Sequence, residues 1–164
     1  MGTAASEGIP AIYCACKLCK TALKRGGKDI RTRQQALIDD LLIDFGPETY
    51  VHFLRAGKTL AGVGHILITH SHGDHLTADN FFNRGRGFAY EIRVYAGREV
   101  CARIRCAVPK QTLDESYELV EIEPFRPFMA GEHTVTAFPA VHMQNEQAFI
   151  YLIEKDNKAV LYCL

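Results

Sequence analysis

Apolar and polar positions along this chain alternate in short runs, and the runs predict short elements. "QALIDDLLIDFG" (35–46) reads as two short strands around a turn at Asp39 and Asp40. "PETYVHFLRAG" (47–57) reads as a helix opened by Pro47 and closed by Gly57. "HILIT" (65–69) is apolar at nearly every position, which predicts a strand buried on both faces. "LTADNFF" predicts a short helix, "EIRVYAG" a strand and "REVCARIRCA" a helix after it. "YELVEI", "EHTVTAFPA", "AFIYLIEK" and "AVLYCL" read as strands, the last two joined by a turn at Asp156 and Asn157. Many strands with a few helices between them predict an α+β fold, with sheet layers covered by helices. No repeat or linker interrupts the pattern, so one domain over residues 1–164 is expected.

Composition narrows the picture only a little. The chain has 164 residues, 48% apolar and 23% charged, which is ordinary globular usage. Nineteen basic residues balance nineteen acidic ones, so bulk charge does not point to nucleic acid. No apolar run is long enough for a membrane span, and "MGTAASEGIP" is not a secretory signal. A cytoplasmic location is therefore expected, where cysteines serve as metal ligands or buried thiols before disulfides. Lys17, Lys20, Lys24, Arg25, Lys28, Arg31 and Arg33 make one end basic; this reads as a solvated loop and helix face. The acidic run from Asp114 to Glu123 reads as surface.

The candidate chemistry sits in "THSHGDH" (69–75), directly after the buried strand. In extended backbone His70 and His72 point the same way, and two imidazoles on one side can share a divalent ion. Gly73 is expected to let the chain turn, so that Asp74 and His75 reach a second ion nearby. A pair of ions suits hydrolysis of phosphodiesters, thioesters or amides. Upstream, "YCACKLCK" places Cys14, Cys16 and Cys19 within six residues, three of the four ligands a tetrahedral zinc takes. Cys101, Cys106 and Cys163 lie in apolar contexts and read as core thiols. His52, His65 and His133 read as packed, structural histidines. Arg84 and Arg86, in "NRGRGF", read as a solvated loop or, in the alternative, as partners for a substrate phosphate.

His70-x-His72-x-Asp74-His75 resembles the signature of the metallo-β-lactamase superfamily. "LLIDFG" with Asp44 resembles the strand before the metal loop, and "FPAVHM" with His142 resembles the segment carrying the next histidine ligand. The resemblance implies an αββα sandwich. It implies His70, His72 and His142 on one divalent ion, zinc or manganese, and Asp74 and His75 on another. Asp44 would support the site from behind, and Asp74, the catalytic residue, would help bind and activate a water. With "GTAASEGIPAIYCACKLC" in front, the chain resembles the PhnP-like branch, which contains the cyclic phosphodiesterase of the carbon–phosphorus lyase pathway. That branch implies a structural zinc on the three cysteines and a small phosphodiester as partner, with a homodimer allowed. In the superfamily a bridging aspartate and a further histidine follow a strand like "AVLYCL", and a first strand precedes a loop like "GTAASEG". The expectation is thus an incomplete sandwich lacking its first strand and C-terminal part, with activity assigned to a longer parent. An RNA-processing nuclease or thioesterase of the superfamily is the alternative, as is a non-catalytic metal-binding fragment.

Overall fold

Successive side chains of a strand point to opposite faces, so a strand apolar throughout needs packing on both. The computed structural model describes residues 1–82, 91–142 and 146–163, and it meets that need with two stacked sheets. The first has the order β1 (Ala36–Ile38), β2 (Leu41–Ile43), β3 (His65–Leu67), β4 (Ile92–Ala96) and β5 (Tyr117–Glu121). β1 pairs antiparallel with β2; the remaining pairs are parallel. The second is an antiparallel meander of β6 (Phe128–Ala130), β7 (His133–Pro139), β8 (Phe149–Lys155) and β9 (Lys158–Tyr162). Helices α1 (Lys17–Arg25), α2 (Thr49–Arg55), α3 (Asp79–Phe82), α4 (Arg98–Ala107) and α5 (Lys110–Ser116), with short 3₁₀ turns at Gly27–Asp29 and Leu60–Gly62, complete the described elements.

Strand alternation divides the interior into two cores. Leu42, Ile66, Val94 and Ala96 pack with Phe53 of α2, Phe81 of α3, and Val100 and Ile104 of α4. Leu41, Ile43, Leu67 and Tyr95, one position along, pack with Val135, Ala137, Tyr151 and Ile153 of the second sheet. The order is therefore helices, sheet, sheet. The outer face of the second sheet stays half-buried at Thr134, Thr136 and Leu152. Among the described residues no helix is long and apolar enough to cross a membrane.

The turn residues fit their backbone. Asp39 has φ 52°, and Asp156 and Asn157 have φ 49° and 58°. Aspartate and asparagine tolerate this left-handed region better than other side chains, and both turns join antiparallel strands.

α5 and β6 have no counterpart in the sequence reading, and α1 has one only in the basic stretch read as a loop and helix face. Two thiols are also corrected. Cys101 is buried, but Cys106 and Cys163 are exposed. Val100, Cys101 and Ile104 define the inner face of α4, and Cys106 falls on the other side. Cys163 follows β9, whose residues are themselves largely exposed.

Candidate metal centre

β3 delivers Thr69 and His70 to the edge of the first sheet, both essentially buried. Asp44, just beyond β2, has φ 67° and no exposed surface. That backbone turn aims its carboxylate at the histidine loop. Oδ1 accepts from the Thr69 amide at 2.9 Å and from Thr69 Oγ1 at 2.8 Å. Oδ2 accepts from His75 Nδ1 at 2.7 Å and from the Tyr162 hydroxyl at 3.3 Å. A buried carboxylate is tolerable only with such a set of donors.

These bonds fix the protons on the rings. Thr69 gives its hydroxyl proton to Asp44, so its oxygen accepts from His70 Nδ1, 3.0 Å away. His70 Nε2 is left as a bare acceptor. It is buried and has no hydrogen-bond partner. Burial first, then the neighbouring His75, His142 and His72, hold the His70 pKa down at about 3, so the ring is neutral. His72 Nδ1 lies 3.2 Å from His142 Nε2. One nitrogen each from His70, His72 and His142 falls within 4.8 Å of the others. Three imidazoles converging on one point, one with an orphaned buried lone pair, fit a divalent cation and leave positions open for other ligands. His75 turns Nε2 toward Asp74 Oδ2 at 3.3 Å. Its ring lies 4.2 Å from that of His70, centre to centre, so Asp74 and His75 form the adjacent half of the site. Burial opposes charge on His75, but the hydrogen bond and charge of Asp44 and the charge of Asp74 outweigh it and raise its pKa.

The glycine that the loop depends on is not Gly73. A Cβ there would meet open space, and its φ is not left-handed. A Cβ on Gly46 would lie 2.1 Å from the Asp74 carbonyl oxygen. The β2–α2 connection is packed against the metal loop, with Phe45 N donating to His75 O at 2.7 Å and Asn80 Nδ2 to the Phe45 and Gly46 carbonyls at 2.9 and 2.7 Å. Phe45 O also accepts from Thr77 N at 3.0 Å.

A second cluster forms at the N-terminus of α1. Sγ atoms of Cys14, Cys16 and Cys19 lie within 4.8 Å of one another, and Cys16 caps the helix by accepting from the Cys19 amide. Ala11 N donates to Cys19 Sγ at 3.4 Å. The Cys16 pKa is lowered to about 7, first by the Cys19 amide and then by the Cys14 and Cys19 thiols. Three thiols of which one is already close to ionised at neutral pH fit a tetrahedral zinc.

Other residues fall where the sequence reading put them or outside it. His52 is buried between Thr32 Oγ1 at 2.6 Å and Gln35 Oε1 at 2.7 Å. His65 and His133 meet Asp40 and Asp39 at 3.7 and 3.2 Å, on the opposite side of the sheets' strands from the metal loop. Arg84 and Arg86 lie outside the described residues. Glu146, which no motif singled out, sits 2.9 Å from His72.

The chain is similar to several known proteins. The chain aligns at 28% identity with an octanoyltransferase of Porphyromonas gingivalis (strain ATCC BAA-308 / W83), over 87% of this chain and 30% of that protein. A diphosphatase from the PhnP family superposes with TM-score 0.74 at 21% identity, over 93% of this chain and 60% of that one. The short form of human tRNase Z superposes with TM-score 0.57 at 16% identity, over 77% of this chain and 59% of that one. The chain thus spans at most 60% of the length of these relatives. The likeness to the two solved structures bears on the fold, which is of the metallo-β-lactamase type. Residues 40–163, well over half the chain, match the family model described as beta-lactamase superfamily domain, and the protein belongs to that family.

Proposed function

We propose that the protein carrying this chain is a metal-dependent hydrolase acting on a small phosphodiester. One observation carries the reading: the neutral, buried His70 offers an unpartnered Nε2 to the point where His72 and His142 converge. His70, His72 and His142 would hold one divalent ion, zinc or manganese, and Asp74 and His75 would contribute to a second. When bound, such a pair polarises a phosphoryl oxygen and lowers the pKa of water.

The chain's own residues do the rest. Thr69 and Asp44 accept from Nδ1 of His70 and His75, which leaves His70 Nε2 without a partner and turns His75 Nε2 toward Asp74. Asp74 is a hydrogen-bond acceptor beside His75, and it orients the attacking water and receives its proton. The water oxygen bonds to phosphorus, the bond to the leaving oxygen breaks, and the leaving oxygen takes a proton from solvent. Cys14, Cys16 and Cys19 would hold a structural zinc, away from the reacting atoms. The choice of a phosphodiester rests on the resemblance of "GTAASEGIPAIYCACKLC" and "THSHGDH" to the PhnP-like branch, whose diphosphatase member shares the fold. The tRNase Z likeness keeps an RNA-processing reading open, but the even balance of charge favours a small substrate over a polyanion.

The test is turnover of an aryl phosphodiester by the metal-loaded protein. The expected result is hydrolysis that depends on added zinc or manganese and falls by at least about 100-fold in His70→Ala, the scale of losing a metal ligand's contribution. A protein that loads metal yet leaves the diester intact, while cleaving a thioester, would overturn the phosphodiesterase reading.

A further inference from the structure

Glu146 precedes β8 and belongs to no motif, yet its side chain is only 15% exposed at the rim of the histidine cluster. Oε2 lies 2.9 Å from His72 Nε2. Oε1 accepts from Ser71 Oγ at 3.0 Å. Ser71 Oγ in turn accepts from Arg103 Nη1, on α4, at 3.3 Å. Both carboxylate oxygens are thus engaged, and a guanidinium backs the chain of bonds.

The ring between them decides what this arrangement is for. His72 faces His142 Nε2 with Nδ1, at 3.2 Å. Its other nitrogen, Nε2, faces Glu146. We infer that Glu146 is a positioning residue for His72: it accepts the Nε2 proton, fixes the ring's tautomer and angle, and so presents the Nδ1 lone pair to the point shared with His70 and His142. Glu146 is not itself a ligand of that point, because it lies across the imidazole from it. Asp44 does the same for His75 with the nitrogens exchanged, Nδ1 bonded to the carboxylate and Nε2 turned toward Asp74. The second and third histidines of the loop are each braced by a carboxylate, Asp44 buried and Glu146 at the rim. The inference also gives Ser71 a purpose: the residue between His70 and His72 holds the carboxylate that orients the second of them. It rests on the proposed metal site of the preceding subsection.

A carboxylate of this kind raises ligand basicity and orientation, and losing it costs 10–100-fold in metal affinity in comparable sites, at about that order. A surface ion pair of the same length costs almost nothing. The experiment therefore compares wild type, Glu146→Ala, Glu146→Gln and His70→Ala, all with the cysteine site filled by zinc. Cobalt(II) is then titrated into the histidine site, and its visible absorption and affinity are read. Long-range ¹H–¹⁵N spectra of the metal-free protein report the His72 tautomer.

The expected result is about 10–100-fold weaker cobalt binding in Glu146→Ala, with a shifted absorption band and a mixed His72 tautomer. Glu146→Gln, which still offers an oxygen to Nε2–H, recovers most of the affinity and the single tautomer. Thermal melting of both variants stays close to wild type. Wild-type affinity, band and tautomer in Glu146→Ala would overturn the inference and leave the metal site standing. Cobalt binding in His70→Ala equal to wild type, or none in wild type, would overturn the metal site and the inference with it. A Glu146→Gln variant as impaired as Glu146→Ala, with the same melting midpoint, would also overturn it, since the proton-accepting role would not be what matters.

Discussion

His52 is a residue whose environment decides its charge. It is buried between Thr32 and Gln35, and burial first, then the N-terminal ammonium and Arg55, lower its pKa to about 4. An unfolded histidine titrates near about 6.5. As pH falls through that value the unfolded chain binds a proton that the folded chain refuses until about pH 4. Stability is therefore lost across this window, and above it the contribution is constant. In urea titrations at pH 7, 5.5 and 4, His52→Gln should lose less stability than wild type between the first and last. Equal losses would show that His52 is protonated in the fold. At this scale the sequence was legible where residue type and spacing combine. The three histidines and Asp74 announce themselves, and Asp44 is picked out by the resemblance of "LLIDFG" to the strand before the metal loop. Glu146 could not be read, because its partner is 74 positions back, joined only by a hydrogen bond across the fold. The same applies to burial: apolar neighbours suggested Cys106 was inside, but the helical face it occupies points out.

Elements place the site, and the β2–α2 connection makes a close backbone contact with the metal loop. Gly46→Ala puts a methyl 2.1 Å from the Asp74 carbonyl oxygen, and backbone must move to admit it. Asp74 and His75 are carried by that backbone. The expected outcome is at least about 10-fold weaker metal loading at the histidine site, as for displaced ligands, with the cysteine site still filled. Elemental analysis of protein dialysed against a mild chelator checks it. Gly73→Ala, which meets open space, should load normally and provides the control. Full metal content in Gly46→Ala would mean the loop yields without harm. Most strands and α2 to α4 could be read from apolar runs. Three elements could not. α5 buries one residue, Leu113, so its sequence shows no apolar stripe. α1 buries Cys19 and Ala22 and leaves Leu18 and Leu23 exposed, which inverts the usual cue. β6 is three residues long, too short for a period to register.

The two sheets meet at the metal loop, and this is where the molecule acts as one. Residues just after β3 carry Thr69 and His70; the connection between β7 and β8 carries His142 and Glu146. Neither sheet holds the whole candidate site. Their registration rests on a few bonds. The Phe149 amide donates to the Thr69 carbonyl at 3.0 Å, and the fully buried Tyr151 hydroxyl donates to the Ile68 carbonyl at 2.7 Å. Burial holds the Tyr151 phenol well above its ordinary pKa, so it remains a donor at any working pH. Tyr151→Phe keeps the packing and removes only that donor. The Ile68 carbonyl, one residue before Thr69, then loses a partner in the interior, at a cost of about 1–3 kcal/mol. The loss should appear in two measurements. Urea unfolding should shift to lower denaturant by that amount with an unchanged slope, since no surface is newly exposed. Metal affinity at the histidine site should also weaken, because His142 and His70 reach the proposed metal position from opposite sheets. A variant that loses stability but binds metal as wild type does would separate the two effects. The sheets would then hold their alignment through the Phe149 bond and the shared apolar core, and Tyr151 would serve stability alone.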